Sequence, residues 1–143
     1  MSNSCKTCAS YDAAMSIVVK LQSEGFIAYF AGGSVRDMLL GKRSDDIDVA
    51  TSARPEDVMR LFPKSYDIGV AFGIVNVVIG GQPVEVATFR EERGYADGRH
   101  PDDVRYTGDP RVDAMRRDFT VNGMFYDPVK DCIHDFVGGR EDL

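Results

Sequence analysis

The sequence predicts an α+β domain in which helices flank a mixed or antiparallel sheet. Three observations carry this. Residues 10–23, "SYDAAMSIVVKLQS", place Ala14, Ile17, Val18 and Leu21 at helical spacing. In the middle, "IVNVVIGGQPVEVATF" holds two β-rich runs joined by "GGQP", the pattern of a hairpin. Short strand-like runs, "FIAYFA", "DIDVAT" and "CIHDF", occur before and after it, with short helical segments among them.

Taken in chain order, Ser10 is placed to cap the first helix and Gly25 to stop it. "FIAYFA" then runs as a strand into Gly32 and Gly33, and "SVRDMLLG" gives one or two helical turns closed by Gly41. After the strand "DIDVAT", Pro55 suits the first turn of a helix, "PEDVMRLF", that ends before Pro63. Beyond the hairpin, "EERGYADGRHPDDVRYTGDP" is polar and reads as a long loop, and loops of that length in compact domains are often functional. "RVDAMRRDFTVNGMFY" is expected to be helical at least in part, Asp127-Pro128 to turn, and "CIHDF" to close the chain as a strand.

A chain of 143 residues suffices for one domain with a real core. Its net charge of −6 argues against nucleic-acid binding by the whole surface, although 17 Lys and Arg can still build a local basic cleft. No apolar run approaches the roughly 20 residues that a membrane helix needs. The opening "MSNSCKTCAS" lacks the apolar stretch of a secretory signal, so no membrane partner and a cytoplasmic location are expected. No signal speaks to an oligomeric state. Residues 1–9 are expected to form a flexible tail and residues 10–143 the domain. Cys5 and Cys8 form a C-x-x-C, but a structural zinc site needs four ligands and no second C-x-x-C or suitable His pair follows. Cys132 reads as a small strand residue.

Chemistry concentrates in "GGSVRDMLLGKRSDDIDVAT". Side chains along a strand alternate, so Asp46 and Asp48 point to one face while Ile47 and Val49 enter the core. Two like charges side by side do not stabilise a strand, whereas a hard cation with a preference for oxygen ligands removes the objection. Glu85, flanked by Val84 and Val86, projects from the polar face of its own strand and would complete a site for two metal ions. Asp45, on the other side from Asp46, reads as solvent-exposed. The bland reading of the D-x-D is an edge strand with a solvated face.

Gly32 and Gly33 end a strand and open a helix. Backbone without Cβ lets a ligand come close, the N–H groups that open a helix suit an anion, and Arg36 adds a fork matched to phosphate oxygens. The bland reading is a tight turn with Arg36 paired to a surface acid. No G-K-[ST] follows, so this is not a Walker A loop. An anion-binding turn followed one strand later by two acids on one face is what a triphosphate carrying magnesium requires.

In order, "GGSVRDMLLG…DIDVAT", "VEVATFR", "DGRHP", "RRDFTVNGMFYDP" and "GGREDL" resemble the catalytic head of class II tRNA nucleotidyltransferases (CCA-adding enzymes) and bacterial poly(A) polymerases, members of the DNA polymerase beta-like nucleotidyltransferase superfamily. The resemblance runs from about Phe26 to Leu143. It implies that fold, and transfer of a nucleotide from an NTP (ATP and CTP) to an RNA 3′-hydroxyl, with tRNA CCA addition favoured over poly(A) addition. Asp46 and Asp48 would be the catalytic pair holding two Mg2+ ions, and Glu85 the third acid, helping to activate the hydroxyl. Gly32, Gly33, Ser34 and Arg36 would hold the triphosphate. Arg116, Arg117, Asp118 and Asn122 would line the nucleotide, Arg117 touching phosphate or ribose with Asp118 and Asn122 in support. "YADGRHP" would match the family's flexible loop.

Arg117 also lies four residues after Asp113, which suits a plain surface ion pair. Phe119, Val121, Met124 and Phe125 read as core, and His100 and His134 as incidental. The family's enzymes continue past "GREDL" into helical neck, body and tail domains that choose the base and hold much of the RNA. The 143 residues are therefore expected to bind magnesium and NTP but to select bases poorly and extend RNA weakly. Transfer to a small molecule is the other enzymatic reading, and "RRDFT" and "DGRHP" speak against it. A nucleotide-binding module inactive without further domains is the non-enzymatic one.

Overall fold

The computed structural model describes residues 6–41, 47–69, 73–91, 105–115 and 123–135. Helix α1 (Lys6–Ser23) buries Ala13, Ala14, Ile17, Val18 and Leu21, each at most 3% exposed, as one stripe against the sheet. It starts four residues before the expected Ser10, inside the stretch expected to be tail; "KTCA" holds neither glycine nor proline to stop it. Ser10 does not cap α1. It is buried within the helix, and its Oγ accepts a hydrogen bond from Gln82 Nε2 at 3.0 Å. At the other end the Phe26 N–H reaches the Leu21 carbonyl at 3.1 Å, closing the helix around Gly25.

The remaining elements are β1 (Ala28–Ala31), α2 (Gly33–Leu39), β2 (Asp48–Thr51), α3 (Pro55–Leu61), β3 (Ser65–Gly69), β4 (Ile74–Ile79), β5 (Gln82–Thr88), β6 (Arg90–Glu91), β7 (Arg105–Tyr106), α4 (Pro110–Met115), β8 (Met124–Asp127) and β9 (Cys132–Asp135). Seven strands form one sheet in the order β3-β4-β5-β2-β1-β8-β9, and β6 pairs with β7. Among the described strands only β2 and β5 are parallel neighbours; the other pairs are antiparallel. This is the expected α+β class with a mixed, mostly antiparallel sheet flanked by helices.

Strand alternation divides the sheet into two faces. Phe30, Val49, Val75, Val77, Val84 and Val86 join α1, Val35 of α2 and Val58 of α3 in the main core. Across the sheet, Ala31, Ala50, Phe89, Ala114 and Phe125 form a smaller cluster that covers the β1–β8 end. Among the described residues the second face is thus capped only in part, with polar side chains of β2, β4 and β5 beside that cluster. No helix among the described residues is long and apolar enough to cross a membrane.

Further local expectations are corrected. The hairpin turn is Gly80-Gly81, both at positive φ, with Ile79 paired to Gln82, so Gln82 and Pro83 belong to the strand. Pro83 is tolerated because it faces Val78 at a position whose missing N–H would point away from β4, before β2 begins to pair. "SYDIG" is an edge strand that was not expected. The arms of the long loop pair as β6 and β7, with residues 92–104 outside the described set.

The expected helix after the loop is short. Asp109 caps α4 through Oδ1, which accepts the Arg111 N–H at 2.9 Å. Residues 116–122 lie outside the described set, and "MFYD" is a strand, not helix. Phe125 and Tyr126 pair with Ala31 and Phe30 on β1, and that tertiary pairing overrides the local pattern. Met124 and Phe125 are fully buried, as expected.

Candidate active site

The turn between β1 and α2 brings backbone to the open face. Gly32 has φ 78° and ψ −151°, a region essentially confined to glycine. The Val35 N–H closes the first turn on the Gly32 carbonyl at 3.1 Å. The Ser34 hydroxyl is buried and donates to the Ala31 carbonyl at 3.0 Å, so what Ser34 can offer outward is its backbone N–H. The Arg36 guanidinium folds back over the helix start: a Cβ at Gly33 would lie 3.3 Å from its Nη2. Arg36 Nε also meets Asp37 Oδ1 at 3.4 Å, with the side chains 40% and 27% exposed. A pair so exposed is worth under about 1 kcal/mol, so a phosphate can compete for the cation.

Asp48 opens β2 and stands opposite Ala31. Its side chain is exposed, whereas Ile47 and Val49 are 6% and 0% exposed. A Cβ at Gly32 would lie 3.8 Å from Asp48 Oδ2, so acid and glycine turn share a border. On the neighbouring parallel strand, Val49 aligns with Val86. Stepping back one residue on both strands places Asp48 and Glu85 on the same face, one strand spacing of about 4.8 Å apart. Glu85 is exposed between buried Val84 and Val86. A cavity of about 390 Å³ opens here, lined by Ser10, Ile47, Asp48, Ile68, Asn76, Pro83, Val84 and Glu85.

Of the expected site residues, the structure therefore brings Gly32, Gly33, Arg36, Asp48 and Glu85 to one end of the sheet. Asp46, Arg116, Arg117, Asp118 and Asn122 lie outside the described residues, as do Asp45, His100, Cys5, Phe119 and Val121. The donors present are carboxylate oxygens, which suit a hard divalent cation. Among the described residues no group of three or more His, Cys, Asp or Glu is arranged to hold a metal ion, so Asp48 and Glu85 there form a pair.

Asp113 lies in α4, and Arg117, its expected partner, lies outside the described residues. Asp113 is 1% exposed, and its Oδ1 accepts the Arg90 N–H at 3.0 Å, tying α4 to the β6–β7 ribbon. The ribbon is also held by Tyr106, whose ring lies 5.4 Å from the Arg54 guanidinium carbon; burial pushes its phenol pKa up. His134 stacks on Tyr29 with ring centroids 4.7 Å apart, away from the acids.

Ile68 and Asn76 are among the cavity residues that were not anticipated. Asn76 had a signal: it is the one polar residue in the apolar run "IVNVVI", between buried Val75 and Val77. Ile68 had none, because it sits at the irregularity between Asp67 and Gly69 where alternation fails.

The chain is similar to known proteins in both sequence and fold. The sequence profile of the poly A polymerase head domain matches residues 28–143. The CCA-adding enzyme of Lactobacillus helveticus is 47% identical over 130 residues, covering 91% of this chain and 32% of that protein. That of Geobacillus stearothermophilus is 45% identical over 131 residues, covering 92% and 32%. The crystal structure of the Bacillus stearothermophilus CCA-adding enzyme in complex with CTP superposes with a TM-score of 0.81 at 43% identity, covering 92% of this chain and 31% of that one. A tRNA nucleotidyltransferase complexed with a primer tRNA and an incoming ATP analog gives a TM-score of 0.63 at 26% identity, covering 90% and 36%. The chain spans about a third of the length of these relatives.

Proposed function

Since the chain belongs to the poly A polymerase head domain family and has the DNA polymerase beta-like nucleotidyltransferase fold, we propose that it transfers nucleotides from NTP to an RNA 3′-hydroxyl. The favoured acceptor is a tRNA that is to receive its 3′ CCA, with CTP and ATP as donors. The observation that carries this is the junction of Gly32, Asp48 and Glu85: an anion-accepting turn bordering two exposed carboxylates on adjacent strands. The choice of tRNA is supported by CCA-adding enzymes at 45–47% identity, by the CCA-adding enzyme structure in complex with CTP at 43% identity, and by the tRNA nucleotidyltransferase structure with a primer tRNA and an ATP analog. A cytoplasmic location accompanies the reading, because that is where tRNA and NTP meet.

The residues divide the work. The Gly32–Gly33 backbone and the Ser34 N–H receive the triphosphate, and Arg36 neutralises part of its charge. Asp48, with Asp46 beside it in sequence and Glu85 on the next strand, would hold two Mg2+ ions; bound there, they would neutralise charge on the attacking and leaving oxygens. Glu85 would help to draw the proton from the RNA 3′-hydroxyl as its oxygen attacks the α-phosphorus. The α–β phosphoanhydride bond breaks and pyrophosphate leaves. Arg116, Arg117, Asp118 and Asn122 would flank the nucleotide from the segment that follows α4. No covalent intermediate is required, and catalysis is positioning plus electrostatics.

The test is pyrophosphate release from CTP or ATP, with magnesium, in the presence and absence of a tRNA lacking its 3′ CCA. Release that requires both tRNA and magnesium supports the reading. Release without RNA, or onto a small hydroxylated acceptor instead, contradicts it.

A further inference from the structure

Resting on the nucleotidyl-transfer reading, we propose that the open face of β3 and β4 beside Glu85 seats the 3′-terminal nucleoside of the RNA acceptor, with Asn76 as its positioning residue and Tyr66 as its stacking surface. The register makes one row of the side chains. Tyr66 stands opposite Asn76, and Asn76 opposite Glu85. Because Val75 and Val77 are buried in the core, Asn76 and its row neighbours lie on the other face, the one that carries Asp48 and Glu85.

The row has a direction. On one side of the acids lie Gly32 and the Arg36 guanidinium, the phosphate end. On the other lie Asn76 and then Tyr66, at the sheet's edge. A hydroxyl that attacks between these ends must enter from the side not taken by the triphosphate, which is the β4–β3 side. Two strand spacings, about 10 Å, separate Glu85 from Tyr66, so an RNA with its 3′-hydroxyl at Glu85 has its terminal nucleoside over this row.

The chemistry of the row matches that occupant. Tyr66 is 57% exposed and Ile68 52% exposed, so an aromatic and an aliphatic side chain are open to an occupant on this edge strand. Bases stack on exposed aromatic rings without sequence preference. Asn76 lines the cavity with Glu85, and its amide has both a donor and acceptor, the complement of a ribose 2′-hydroxyl. Lys64, exposed and held to β4 by the Val78 N–H on its carbonyl at 2.9 Å, lies two residues before Tyr66 and so on the same side, where a backbone phosphate can meet it.

The experiment measures binding, so that it is independent of turnover. A fluorescein-labelled RNA hairpin with a short single-stranded 3′ end is titrated with the 143-residue chain by anisotropy, and CTP binding is followed by calorimetry. The same hairpin ending in a 2′-deoxynucleoside is the comparison. Tyr66→Ala is expected to weaken RNA binding about tenfold with CTP binding unchanged. Asn76→Ala is expected to abolish the preference for the ribo over the deoxy terminus. Arg36→Ala is expected to do the reverse, losing CTP and keeping RNA.

Unmutated chain that does not bind the hairpin, or Tyr66→Ala and Asn76→Ala variants that bind it as the unmutated chain does, would overturn the proposal. So would parallel loss of RNA and CTP. RNA binding of the expected kind with no nucleotide transfer would leave the seat standing and sink the functional reading. Transfer with an unchanged KM for RNA in Tyr66→Ala would do the opposite.

Discussion

Asp48 Oδ2 lies 3.8 Å from the point a Cβ on Gly32 would occupy, although 16 positions of sequence separate the two residues. Pairing of Ala31 with Asp48 across β1 and β2 creates this border. The glycine turn and this acid are thus held by the same two strands.

Gly32→Ala is expected to cost about 1–3 kcal/mol of stability, because φ 78° with ψ −151° strains any residue that has a Cβ. Space is not the obstacle there. Gly33→Ala is the contrast: its new methyl meets only the end of the flexible Arg36 side chain at 3.3 Å, which can move. Urea titration should show a clear fall in midpoint for the first and little change for the second, while Gly33→Ala weakens CTP binding by displacing the guanidinium.

Asp48→Ala is expected to leave the chain folded, since the position is exposed. Removing one carboxylate from a face that also carries Glu85 relieves repulsion. Nucleotidyl transfer should fall about a hundredfold or more, because several kcal/mol of transition-state charge stabilisation depend on the acids. Thermal melts beside rate measurements separate the two effects; a large drop in melting temperature would count against a metal-holding role.

Gly73→Ala should destabilise the β6–β7 ribbon. Its Cβ would stand 2.9 Å from Tyr106 Cε1, and φ is +82°, so both space and backbone oppose it. The expected cost is about 1–3 kcal/mol. Gly73→Ala combined with Tyr106→Ala should recover only the steric part in a double-mutant cycle.

Alkaline pH should separate Tyr126→Phe from the unmutated chain. Burial first, then the hydrogen bond to Asp131 at 2.5 Å, raises the Tyr126 pKa above its ordinary value of 10.0. A group whose folded pKa is raised contributes stability below its unfolded pKa and loses it as pH climbs above that value. Stability of the unmutated chain is therefore expected to fall above about pH 10, and Tyr126→Phe to fall less steeply, in denaturant midpoints measured from pH 8 to 11.

What could be read from sequence was what alternation and turn chemistry control. Asp48 and Glu85 fall on one polar face because Ile47, Val49, Val84 and Val86 must be buried, and that rule is local. Pro55 at the first turn of α3 and the Gly80-Gly81 hairpin are equally local signals. The misses were tertiary. Nothing in "SYDIG" announces a strand; it exists because β4 offers an edge. "MFYD" continues a helical pattern, yet pairing with β1 on one side and β9 on the other makes it β8. Ser10 looked like a cap, but its hydroxyl serves Gln82, 72 residues away.

The most direct measurement is extension of a tRNA lacking its 3′ CCA, with magnesium and each NTP supplied singly, beside the Asp46→Ala/Asp48→Ala variant. Addition of C, and of A once C is in place, that disappears in the variant is the result expected if the turn and acids form a nucleotidyl-transfer site. Extension that persists in the variant would contradict that assignment.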